Sequence, residues 1–111
     1  MFVLDIHFTF KTKSDRDKFI ELWRPLANHV LMHEPGTLSY ELSVADSDPL
    51  RVLVFERYRT KDDYHMHKAS KPFEDFHNGL RESKIEWAVK DGQSYYETGV
   101  GFMCVATGVC F

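Results

Sequence analysis

Residues 2 to 10 alternate without a break, with Phe2, Leu4, Ile6, Phe8 and Phe10 on one side and Val3, Asp5, His7 and Thr9 on the other. A period of two is that of a β-strand. Past Ser14 and Asp15, either of which can cap a helix by accepting orphan backbone N–H groups, Phe19, Leu22, Trp23, Leu26 and Val30 recur at helical spacing. Pro25 lies inside that stripe, removes one donor and is expected to kink the helix, which Glu34-Pro35-Gly36 then ends. Thr37 to Val44 alternates again, with Leu38, Tyr40, Leu42 and Val44 on one face. The turn residues Asp46-Ser47-Asp48-Pro49 lead into a third strand from Leu50 to Arg59, so a hairpin is expected. Its segment Val52-Leu53-Val54-Phe55 is apolar on both faces, the pattern of a strand covered on two sides.

Thr60 with Asp63 forms a capping box for a short helix to about Ala69. Ser70-Lys71-Pro72 opens another helix, whose stripe of Phe73, Phe76, Leu80 and Trp87 carries it to about Lys90 before Asp91-Gly92. Gln93 to Thr98 reads as a fourth strand. The order strand, helix, strand, strand, helix, strand predicts an α+β, ferredoxin-like split βαβ fold: one antiparallel sheet with helices on one face. Residues 1–98 form that domain, and 99–111 a glycine-rich apolar tail that fits either a flexible end or a strand added to a partner's sheet. The helix-free face carries Val3, Leu53 and Phe55, too apolar to leave in water. A homodimer formed through this sheet face is therefore expected.

Composition narrows the function classes. The 111 residues carry a net charge of -3, with both signs spread along the chain, so neither a nucleic-acid footprint nor an anionic-membrane footprint is present. The N-terminal segment fits neither a signal nor a transit peptide, and the uncharged stretch from Thr98 to Phe111 is too short and glycine-rich to span a bilayer, so the default compartment is the cytoplasm. Cys104 and Cys110 sit together in the tail and are read as free thiols, not as a disulfide framework.

The segments Glu34 to Leu42, Val54-Phe55-Glu56-Arg57-Tyr58, and Asp63 to Phe76 with His67, Ser70, Pro72 and Phe73 resemble the antibiotic biosynthesis monooxygenase family, small dimeric α+β barrel proteins. The resemblance covers about residues 2 to 98. It implies oxidation of a small aromatic or quinol-like molecule by O2, with no flavin, haem or metal in the best-known branch: a deprotonated phenol is a far better electron donor to O2, and the protein need supply only a dry pocket, a base and a stabiliser for the anion. His67 stands where many members have a histidine, and Glu56 and Tyr58 match the end of the third strand. The haem-degrading branch is similar in having an Asn on the first strand, a Trp near His67 and an axial histidine near His77; here only His77 is matched.

On this reading His67 and Glu56 are the candidate catalytic groups, His67 assisting deprotonation, and Tyr40, Tyr58, Phe73 and His77 are candidate substrate contacts. Each has a plainer alternative. His67 follows Asp63 by four residues and could simply pair with it along a helix. Tyr40, Phe73, Phe76 and Trp87 fit core positions as well as a pocket wall. Glu56 shares its row with Val52, Val54 and Tyr58, where a carboxylate needs a partner or a raised pKa. His29 and His33 have a spacing zinc could use but no third ligand nearby, so charge at a helix end is the better account. His7 is expected at the dimer interface. Two other functions fit the same scaffold: an isomerase or other non-oxidative enzyme, and a ligand-binding or stress-response barrel without chemistry.

Overall fold

A computed structural model describes residues 1–101 of the chain. The expected order holds, including both helices after the third strand: β1 (Phe2–Phe10), α1 (Lys13–His33), β2 (Thr37–Val44), β3 (Arg51–Tyr58), α2 (Lys61–Lys68), α3 (Lys71–Glu82) and β4 (Trp87–Tyr96). The strands form one antiparallel sheet in the order β2-β3-β1-β4, a ferredoxin-like arrangement that leaves β2 and β4 as open edges. The sheet does not close into a barrel within one chain. The tail cysteines Cys104 and Cys110 lie outside the described residues.

Register decides what faces the helices. Tyr40 stands opposite Glu56, Glu56 opposite Leu4, and Leu4 opposite Ser94, so one row of four side chains crosses the whole sheet on the helix side. The next row runs Leu42, Val54, Ile6, Gly92. The even-numbered residues of β1 and β3 therefore meet the helices as their alternation predicts, and Phe8, Phe10, Val52 and Val54 join Phe19, Trp23, Leu26 and Val30 of α1 in the core. On β2 only Tyr40 and Leu42 pack on that core. A bulge between Thr37 and Ser39 breaks the register there, and Leu38 is exposed.

Three boundaries differ from the sequence expectation. The first helix is capped by Thr12, whose hydroxyl accepts from the Asp15 amide at 3.1 Å, and Asp15 instead places its charge in the first turn. It continues through Pro25 to His33, as the apolar stripe requires. The largest difference is α3, which stops at Glu82 and not near Lys90. Lys84 takes the left-handed conformation (φ 54°), with Lys84 N–H donating to Arg81 O and Ile85 N–H to Leu80 O, which is a Schellman ending with lysine where glycine is usual. Trp87 is thus the first residue of β4, opposite Phe10 and packed on Phe8, and its helical spacing from Leu80 is incidental. β4 accordingly begins six residues before Gln93 and ends at Tyr96.

Candidate active site

Between the sheet and the helices lies a cavity of about 190 Å³. Its floor is Leu4, Ile6, Tyr40 and Glu56; Trp23 closes it from α1, Tyr64 from α2, and Phe73, Phe76 and His77 from α3. Glu56, Tyr40, Phe73 and His77 were all expected at the site from sequence, and all four line it. Tyr58 and His67 are placed behind the wall.

Glu56 is the carboxylate of an otherwise apolar row and is only 5% exposed. Tyr58, two residues on and on the same face, donates its hydroxyl to Glu56 Oε1 at 2.5 Å. Burial nevertheless dominates: it pushes the Glu56 carboxyl up to about 7, against the Tyr58 hydrogen bond that favours the anion and with the nearby Glu34 charge that disfavours it. Burial, followed by the Glu56 charge, raises both Tyr40 and Tyr58, so at neutral pH both are phenols that can donate. Tyr40 is held between two rings, stacked on Trp23 at 4.7 Å and meeting the edge of His67 at 5.0 Å.

His67 sits in the last turn of α2 and is 1% exposed. Its partner is not Asp63, which instead caps α2 with Thr60 and lies 3.8 Å from Arg59. Its Nδ1 lies 2.9 Å from Oε1 of Glu34. A carboxylate only accepts, so Nδ1 carries the hydrogen and Nε2 is left with its lone pair, buried and without a partner among the described residues. Burial lowers the His67 pKa, with the Glu34 charge opposing it, and the imidazole is neutral at physiological pH. Its ring also meets Phe73 at 5.1 Å, so the imidazole touches two of the residues that wall the cavity.

Glu34 was legible in the sequence as part of a helix stop and of a segment that carries the family resemblance, not as a partner of His67. Its reach to α2 depends on Gly36, where a Cβ would overlap the Asp63 carboxyl group, and on the Gly36 carbonyl accepting from the Arg59 amide at 2.9 Å. That close approach ties the start of β2 to the start of α2. Glu34 also faces His29, whose Nε2 is 3.3 Å from Oε2. Among the described residues no three His, Cys, Asp or Glu side chains gather as a metal site would need, so the His29 and His33 spacing serves no such cluster there. His77 meets Phe73 at 4.4 Å, and its pKa is lowered by burial and then by Lys90 and Arg81. Trp23 and Tyr64 lie in the wall although sequence marks Trp23 only as helix core.

A one-chain ferredoxin-like sheet with an acid-lined aromatic cavity under its helices defines the class. The model of the antibiotic biosynthesis monooxygenase family matches residues 1–79, and the chain belongs to that family. Among solved structures it is similar to a candidate antibiotic biosynthesis monooxygenase from Nitrosomonas europaea (22% identity, 88% of this chain and 99% of that one, TM-score 0.75). It is also similar to another such candidate from Caulobacter crescentus (17%, 87% and 89%, TM-score 0.76) and to a conserved protein from Methanosarcina mazei (15%, 87% and 92%, TM-score 0.76). At these identities the likeness is one of fold. No curated protein matches the chain. Among the described residues no helix is long and apolar enough to cross a membrane.

Proposed function

We propose that the chain is a cofactor-independent monooxygenase that oxidises a small phenolic or quinol-like molecule with O2 in the cavity beneath its helices. The observation that carries this reading is Glu56: a carboxyl titrating near neutrality in the wall of an aromatic cavity, where it can take a phenolic proton at physiological pH. For a phenol with an unsubstituted para carbon, Glu56 accepts the O–H proton and the phenolate passes electrons to O2. One oxygen atom bonds to the para carbon, that carbon loses its hydrogen as a proton, and the other oxygen atom leaves as water. The ring gives up four electrons and O2 takes four, yielding a quinone.

Tyr40 donates a hydrogen bond to the developing anion, His67, which stands behind the wall, assists as a second proton acceptor by way of Tyr40, whose ring it meets at 5.0 Å, and Phe73 helps exclude water. The working unit is a homodimer joined through the helix-free face, where Val3 lies in line with Tyr95 and Leu53 and Phe55 share the face with Val89; Val89 and Tyr95 are 53% and 52% exposed. The test is O2 uptake with substituted phenols and quinols in the presence of a chelator. Turnover with one O2 consumed per quinone formed supports the reading. One specific observation favours a second reading: Glu56 and Tyr40 stand side by side in the floor of one cavity, where an acid and a base can move a proton within one substrate. Product formation without O2 uptake would establish that isomerase instead.

A further inference from the structure

The inner cavity is small. A volume of about 190 Å³ suits one aromatic ring with short substituents, since a void of about 150 Å³ lined by apolar side chains takes up benzene. Any larger part of the substrate must extend out of it. Between α2 and β4 an outer cleft of about 490 Å³ shares Leu4, Ile6, Tyr64 and Lys90 with the cavity, so the two adjoin. Gly92 and Ser94, the β4 residues opposite Ile6 and Leu4, keep the cleft open by having little or no side chain.

The charge of this cleft is opposite to that of the protein. The chain carries -3, yet the cleft is lined by Lys61, Lys68, Lys90 and His65, and none of its described lining residues is acidic. Among the described residues none of the three lysines makes an ion pair. Their ammonium groups lie over aromatic rings instead: Lys68 at 4.3 Å from the Tyr64 ring, Lys61 at 5.8 Å from Phe2, and Lys90 at 5.5 Å from Trp87. Lysine on an exposed edge strand discourages strand pairing, which accounts for Lys90 alone, because Lys61 and Lys68 lie on α2. Three cations line one cleft beside an aromatic cavity with no carboxylate among its described lining residues, and Lys90 belongs to both cleft and cavity, so the cleft is suited to an anion attached to a ring.

Resting on the monooxygenase reading of the cavity, we propose that the substrate is an aromatic acid: its ring occupies the cavity beside Glu56 and its carboxylate lies in the outer cleft beside Lys90, with Lys68 and Lys61 adding to the positive field of the cleft. The anion also directs the ring, because the cationic mouth holds one end of the molecule and leaves the other facing Glu56 and Tyr40.

The test compares 3-hydroxyphenylacetate with 3-hydroxyphenylacetamide, which leave the para carbon free and differ in charge and hardly in shape, by titration calorimetry on the full chain. The carboxylate is expected to bind about fivefold tighter or more at low ionic strength, with the ratio shrinking as salt approaches about 0.5 M. In the triple variant K61Q/K68Q/K90Q the two affinities should become nearly equal. A ratio taken on one protein is unaffected by small changes in its folding. Equal affinities in the unaltered chain, or a preference that survives the triple variant, overturn the anion assignment while leaving the aromatic cavity standing. Failure of both compounds to bind overturns both.

Discussion

His67 Nδ1 lies 2.9 Å from Glu34 Oε1 although 33 residues separate them, and that contact fixes which imidazole nitrogen is basic. The predicted consequence is an Nδ1–H tautomer across the neutral pH range, visible in the side-chain nitrogen shifts of His67. Glu34→Gln keeps an acceptor but removes a negative charge that raises the His67 pKa, so that pKa should fall further. A His67 that titrates unchanged in the variant would show that the pair is not electrostatically coupled.

Turnover should respond to both proton acceptors. His67→Ala is expected to slow it by about two to four orders of magnitude, the usual share of general acid–base catalysis, and Glu56→Gln by a similar factor. A His67→Ala rate within a factor of about two of the parent would remove the imidazole from the mechanism and leave Glu56 as the base.

The Glu56 carboxyl also sets a pH dependence. Its folded-state pKa is raised to about 7 from 4.5, so the folded state holds the proton longer than the unfolded chain and stability falls as pH rises from about 4.5 to 7. The loss is at most about 3 kcal/mol, from 1.36 kcal/mol per pKa unit. His67 acts the other way: its pKa is lowered, so its contribution is present above about 6.5 and is lost as pH falls. Urea unfolding of Glu56→Gln should lack the first slope and keep the second. The kcat profile should rise to a plateau above pH 7 if the carboxylate is the active form.

Lys84 pays the cost of a left-handed backbone that glycine adopts freely. Lys84→Gly should stabilise the protein by about 0.5–1 kcal/mol in denaturant titrations, after allowing for the extra freedom glycine gives the unfolded chain. In contrast, Leu26→Ala empties a site that is 1% exposed and should cost about 2–5 kcal/mol.

The homodimer is tested by sedimentation. The parent chain should run as a dimer at micromolar concentration, and Phe55→Asp, which sets a charge on the helix-free face opposite Asp5, should run as a monomer. A monomeric parent would remove the partner from the proposed function.

By itself the sequence determined the first three strands, the stripe of α1 and which faces of β1 and β3 meet the helices, because alternation and 3.6-residue spacing are local consequences of where a side chain points. It also marked Glu56, Tyr40, Phe73 and His77, since a carboxylate in an apolar row and aromatics on helix faces carry a visible cost or shape. Tertiary structure alone decided that Glu34, in a loop read as a helix stop, would partner His67, and that Lys90 of the edge strand would share a cleft with Lys61 and Lys68. It also decided that α3 would end at a left-handed lysine, with Trp87 passed to the sheet. Those outcomes depend on the approach of segments far apart in the chain, and no local period records which distant groups burial will bring together.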